Sequence, residues 1–117
     1  MIPTCVDNDI DRARAVNRRT LSRYVLLPNY RNYWKEAGYV DEMLAVEACV
    51  SDNRMDDVAG CLSNKWLDDT TIAGSPGRVR EEVTKWEEAG IKTPILVPSS
   101  TTGGQIQACH ELFDVFD

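Results

Sequence analysis

The sequence predicts an α/β fold built on a short parallel sheet, and three observations carry that prediction. Three brief apolar runs, at 2–6, 70–73 and 94–98, have strand character. Helical segments separate them, and strands joined through helices in one sheet run parallel, here expected as neighbours in the order 2–6, 70–73, 94–98. The stretch from Gly74 to Ser100, GSPGRVREEVTKWEEAGIKTPILVPSS, reads as helix start, amphipathic helix, helix stop and buried strand with almost no spare residues.

Taken in order, Ile2-Pro3-Thr4-Cys5-Val6 is a short strand, followed by the acidic capping residues Asp7 and Asp9. From about Asp9 to Leu27 the pattern is helical, with Ile10, Ala13, Val16, Tyr24 and Leu27 near one face, and Pro28 stops it. Asn29 can cap a short helix, Tyr30 to Ala37, which Gly38 ends; its rings Tyr30, Tyr33 and Trp34 cannot all point the same way. Two further helices are expected, roughly Asp41 to Ser51 and Arg54 to Leu67, then a brief strand at 70–73. These helices form an excursion over about 28–67 within a single domain, 1–117.

The next unit has the clearest boundaries. Ser75 can accept from orphan first-turn amides, and Pro76 suits the first helical position. Val79, Val83 and Trp86 recur on one face, and Gly90 can close a helix spanning about 76–89 in a left-handed conformation. Pro94 to Pro98 has no polar alternation, as expected of a strand covered on both faces and ended by Pro98. Ser99 to Gly104 is a polar loop, and Gln105 to Phe116 is the last helix.

With 117 residues, 43% of them hydrophobic, the chain can bury one modest core. A net charge of -6 argues against nucleic acid as a partner, because phosphate neutralisation needs a concentrated basic surface. Arg12, Arg14, Arg18, Arg19 and Arg23 do cluster, but Asp7, Asp9 and Asp11 blunt their field; they read as a solvated helix face rather than a docking patch. No apolar stretch approaches the roughly 20 residues needed to span a bilayer, and the start lacks a basic segment followed by an apolar core. Cys5, Cys49, Cys61 and Cys109 show no CxxC spacing and are accompanied by a single histidine, His110, so no zinc site is expected. They read as reduced thiols of a cytoplasmic protein, mostly core packing.

Three parallel strands are too few to stand alone, because two edges of unpaired amides and carbonyls must be covered or paired. Two sequence blocks explain the deficit: RRTLSRYVLLPNYRNYWKEAGY, from Arg18 to Tyr39, and DDTTIAGSPGRVREEVTKWEEAGIKTPILVPSS, from Asp68. With the opening strand and its acidic turn, they make nearly the whole chain resemble the C-terminal part of a luciferase-like flavin- or deazaflavin-dependent monooxygenase. The resemblance implies a partial (β/α)8 TIM-type barrel carrying a helical insertion; a complete barrel takes roughly 250 residues. It also implies oxidoreductase chemistry with reduced FMN or a deazaflavin on a small-molecule substrate, and as partner either the missing N-terminal barrel half or a second copy.

Much of the family's cofactor site comes from earlier strands, so the resemblance transfers no catalytic residue. Barrel active sites lie at the C-terminal ends of strands. The positions expected there are Cys5 to Asp7, Ala73 to Ser75 and Pro98 to Thr102, with Tyr30, Arg31, Tyr33 and Trp34 over the same rim. Each candidate has a plainer reading. Ser75 is a phosphate ligand or simply the helix cap. Ser99, Ser100 and Thr101 approach an anionic ligand or form a solvated connector. Arg31 binds a substrate carboxylate or packs its guanidinium on a ring, among Tyr30 and Trp34. Ala73-Gly74-Ser75-Pro76-Gly77 is one residue from the GxSxG elbow, but Ala73 replaces the first glycine and no histidine follows at a strand end. The alternative function is a non-catalytic half-barrel that self-associates through its strand edges.

Overall fold

The computed structural model describes residues 1–117, an α/β protein whose three strands are all parallel. The elements are β1 (Ile2–Val6), α1 (Ile10–Ser22), α2 (Pro28–Glu36), α3 (Val40–Ser51), α4 (Asn64–Thr70), β2 (Ile72–Gly74), α5 (Pro76–Glu88), β3 (Leu96–Ser99) and α6 (Gln105–Phe116), with 3-10 turns at Tyr24–Leu26, Met55–Asp57 and Ala59–Cys61. The chain divides into two compact units, one of residues 1–17 and 67–117, the other of residues 18–66. No helix is long and apolar enough to cross a membrane.

In the first unit the sheet order is β2-β1-β3. Thr4, Cys5 and Val6 face Ile72, Ala73 and Gly74 on one side, and Ile2 to Cys5 face Leu96 to Ser99 on the other. The expected sequential order, 2–6 then 70–73 then 94–98, is therefore not adopted. The central position falls to β1 because its alternate residues fill two separate cores. Ile2 and Val6 join Ile72, Leu96, Val79, Val83, Trp86, Leu112 and Val115, whereas Cys5 joins Ala73, Ala13 and Val16. Helices α5 and α6 thus cover one face and α1 the other. Right-handed crossovers demand this of a chain that leaves β1 in one direction and then passes back over it to β3.

Two prolines sit where the ladder tolerates them. The Ile2 amide donates to the Ile95 carbonyl at 2.8 Å, so Pro3 points to the opposite side, where pairing with β2 begins only at Thr4. Pro98 lies within β3 rather than ending it, and β3 is an edge strand. All four residues of β3 are only half-buried, and Ile95 before it is 57% exposed, so the run is not covered on both faces as its composition suggests.

Several helix boundaries differ from expectation for local reasons. Helix α1 stops at Ser22 and the chain tightens into the 3-10 turn Tyr24–Leu26 instead of staying α-helical to Leu27; Pro28 keeps Leu27 out of helical geometry, at φ -93, ψ 126. Pro28 then opens α2 at its first position, with Leu27 rather than Asn29 as the capping residue. The helix expected over Arg54 to Leu67 resolves into two 3-10 turns and the short α4. Asn53 turns left-handed at φ 59, Leu62 is extended, and the Ser63 hydroxyl accepts from the Trp66 amide at 3.1 Å, restarting the helix there. Thr70 ends α4, and Thr71 returns both its amide (2.7 Å) and its hydroxyl (2.6 Å) to the Leu67 carbonyl, which delays β2 to Ile72.

Gly74 is the position where backbone freedom is required. It ends β2 at φ +131, its carbonyl accepts from the Asp7 amide at 2.8 Å, and a Cβ there would lie 2.6 Å from Arg78 Cδ. Gly74→Ala is expected to destabilise the protein by about 1–2 kcal/mol, read as a lowered midpoint in urea denaturation.

In the second unit, Trp66 is fully buried and meets Trp34 edge to face at 5.0 Å; Trp34 continues to Tyr30 at 5.8 Å, and Tyr30 to Tyr24 at 5.3 Å. Lys65 lies 5.3 Å over the Tyr39 ring.

Candidate functional site

The chain reverses direction across the sheet at β1, with β2 on one side and β3 on the other. In open parallel sheets the crevice at such a switch point, outside the carboxyl ends of the strands, is where ligands bind. Here the switch point falls between the ends of β1 and β3, and the residues that follow those two strands meet there. The Thr101 hydroxyl donates to Asp7 Oδ2 at 2.5 Å, although 94 positions separate the two in sequence.

Asp7 is organised by its own turn. Its Oδ1 accepts from the Asp9 amide at 2.8 Å, and Asp9 in turn accepts from the amides of Asp11 (3.1 Å) and Arg12 (3.3 Å), so Asp9 caps α1 as its sequence suggests. The Arg12 guanidinium stands 3.8 Å from Asp7. The Thr101 hydroxyl, then the Asp9 amide, hold the Asp7 carboxyl below the ordinary aspartate value of 3.8, while burial opposes them. A carboxylate so stabilised is a weak base and stays ionised at neutral pH.

Asp7 is ionised at a lower pH in the folded chain than in the unfolded one, so its contribution is fully present above 3.8 and is lost as pH falls through the depressed folded value. Urea denaturation between about pH 6 and pH 3 should therefore show a steeper acid-side loss of stability in the natural chain than in Asp7→Asn. Equal slopes would refute the assignment.

Beside this pair, the loop after β3 engages a second carboxylate. Glu111 Oε1 accepts from the hydroxyls of Ser100 (3.0 Å) and Thr102 (3.3 Å) and from Gln107 Nε2 (3.2 Å), while its Oε2 is buried without a hydrogen-bond partner. The Ser100 hydroxyl also accepts from the amides of Thr102 (3.1 Å) and Gly103 (3.2 Å), which shapes the turn. Ser99 is the last residue of β3, paired with Cys5.

Ser75 follows β2 and is the N-cap of α5, its hydroxyl accepting from the Arg78 amide at 3.3 Å. The Arg78 Nε donates to the Ala73 carbonyl at 3.0 Å. Because the neighbouring Gly74 carbonyl faces β1, this guanidinium covers the outer edge of β2.

The remaining candidates, Tyr30, Arg31 and Trp34, belong to residues 18–66. Arg31 is buried, donates to the Val25 carbonyl at 2.9 Å and lies 3.6 Å from Glu47, which also takes Lys35 at 2.5 Å. Its partners are thus a carbonyl and a carboxylate rather than an aromatic face. Lys35 first, then Arg31, draws the Glu47 carboxyl below the usual range. Tyr33 is exposed and Trp34 buried, in keeping with rings that cannot share one direction. His110 is exposed on α6.

Its position after a strand marks Asp7 as a rim residue in the sequence, whereas nothing comparable marks Glu111. Its only signal is a position two turns into a helix that follows a hydroxyl-rich loop, and that spacing acquires meaning only when the loop folds back. No group of three or more histidine, cysteine or acidic side chains is placed to hold a metal ion.

The chemistry of this rim is that of an acceptor. The hydroxyls of Ser100 and Thr101, which an anionic ligand would need, donate to Glu111 and Asp7, and the Ser75 hydroxyl serves the helix cap. A dianionic phosphate would have to displace carboxylates from their own donors, so the residues present do not fit the phosphate of a flavin nucleotide. The chain matches no family model, no curated protein and no solved structure.

Proposed function

We infer that this chain is part of a luciferase-like oxidoreductase dependent on FMN or a deazaflavin, acting in the cytoplasm on a small molecule rather than a nucleic acid and incomplete by itself. The observation that carries this reading is the pair of sequence blocks, Arg18 to Tyr39 and Asp68 to Ser100, in their order and spacing. The gathering of polar side chains at the carboxyl ends of parallel strands supports it, since catalytic groups of such folds collect there. The flavin would supply the redox chemistry; the acidic rim of this chain offers no phosphate site, so under this reading other strands of the barrel would hold the phosphate.

The partial (β/α)8 TIM-type barrel belongs to the same reading and carries a structural cost. In a barrel successive strands are neighbours and all helices lie outside, so β3 would have to leave β1 and pair with β2 when the remaining strands dock. Arg78 would then have to release the Ala73 carbonyl.

A second reading, a non-catalytic module that self-associates, is favoured by one feature. Helix α6 carries an outward apolar stripe, Ile106 at 77% and Phe113 at 67% exposure with Phe116 beyond, next to the β3 edge.

One titration separates the two readings. Reduced and oxidised FMN and a deazaflavin are added to the purified chain, alone and together with the product encoded immediately upstream, and flavin fluorescence is followed. The oxidoreductase reading expects binding only in the reconstituted pair. No binding in any combination, with a stable homodimer by sedimentation, would replace it with the second reading.

A further inference from the structure

We propose that Cys49 and Cys61 are a reversible dithiol–disulfide couple, a redox modification site within residues 18–66. The two sulfurs lie 3.4 Å apart with both thiols free. A disulfide brings them to about 2.05 Å, a change within reach of side-chain rotation and a small shift of one turn. Cys49 is buried near the end of α3, whereas Cys61 ends the 3-10 turn Ala59–Cys61 and is partly exposed. One thiol can therefore be reached from solvent and the other is placed to resolve.

The connecting chain allows the approach. Between the two cysteines lie Asn53 in a left-handed conformation, two separate 3-10 turns and Gly60, and residues 51–57 are exposed. No regular helix or strand has to break. Besides Cys49, the Cys61 thiol meets the Asp57 carbonyl at 3.5 Å.

The oxidant is a small-molecule disulfide such as oxidised glutathione. The Cys61 thiolate attacks one glutathione sulfur, breaking the glutathione S–S bond, forming a mixed disulfide and releasing one glutathione thiolate, which takes up the proton that Cys61 gave. The Cys49 thiolate then attacks the Cys61 sulfur and expels the second glutathione. The protein loses two electrons and two protons, and two reduced glutathione molecules carry them.

The full chain is equilibrated in buffers of varied oxidised to reduced glutathione ratio, quenched with excess alkylating agent in denaturant so that buried thiols are reached, and digested with trypsin without reductant. Cleavage after Arg54 separates the two cysteines, so the bond appears as residues 36–54 joined to 55–65. The expected result is that linked pair, rising with oxidant and reversed by reductant, with Cys5 and Cys109 alkylated throughout. In Cys49→Ser the mixed disulfide should accumulate on Cys61, and in Cys61→Ser the linked pair should vanish. Four alkylated cysteines in the natural chain at every ratio, a bond involving Cys5 or Cys109, or a persistent mixed disulfide on Cys61 of the natural chain would each overturn the proposal. The natural-chain map decides the question even if a serine variant does not fold.

Discussion

Trp66→Ala is expected to cost about 3–5 kcal/mol, the largest effect of any single substitution considered for this protein. The indole is fully buried and meets Trp34 edge to face at 5.0 Å. Truncation removes the largest fully buried side chain of the molecule from a region made of short helices and 3-10 turns, where few regular hydrogen bonds can compensate. Nor can the surroundings collapse easily, since the Ser63 hydroxyl fixes the Trp66 backbone. Urea denaturation followed by far-ultraviolet circular dichroism gives the measurement. Trp66→Phe should retain most of the stability, and a cycle with Trp34→Phe should show a coupling of about 0.5–1.5 kcal/mol if the edge-to-face geometry itself contributes. An alanine variant within about 1 kcal/mol of the natural chain would mean that Trp66 is not packed as described.

Asp68→Ala is expected to cost about 2–3 kcal/mol. Asp68 takes Arg14 through two parallel hydrogen bonds, Nε to Oδ1 at 3.0 Å and Nη2 to Oδ2 at 2.7 Å, and Arg78 stands 3.9 Å away. This fork fastens α1 to α4, and it holds Arg14 more firmly protonated than usual, chiefly through the hydrogen bond. Without Asp68, the largely buried Arg14 keeps only Asp11, at 3.5 Å and mostly in solvent. The partly exposed position moderates the loss through screening. Arg14→Ala together with Asp68→Ala should cost clearly less than the two single losses added, because the double variant leaves neither member of the fork facing the gap left by the other. Strict additivity would show that the pair contributes nothing as a pair.

The arginine cluster shows how far a one-dimensional pattern reaches. Arg14 and Arg18 sit among charged neighbours and read as a solvated face, yet Arg14 closes on Asp68, and Arg18 donates to the Leu62 carbonyl at 3.2 Å and to Asn64 at 2.7 Å. Helical periodicity assigns a residue to a face; it does not say whether a distant acceptor will come to that face. The same limit hid Glu111, whose partners arrive from the loop after β3, and the approach of Cys49 to Cys61 across the turns between them. By contrast, Ser75, Pro76 and Gly90 were legible because each acts within one helical turn of its own backbone.

By itself the sequence determined the α/β class, the number of strands, their parallel direction and the caps of α1 and α5, since propensity, capping and the helices between strands are local properties. Only the tertiary structure decided that β1 lies at the centre, that helices cover both faces of the sheet, and that Asp7 meets Thr101 at the switch point. Strand order depends on which strand can bury side chains on two faces at once, and β1 does so through Ile2 and Val6 on one side and Cys5 on the other. That choice is a competition among all the apolar surfaces of the chain, and no window of the sequence contains it.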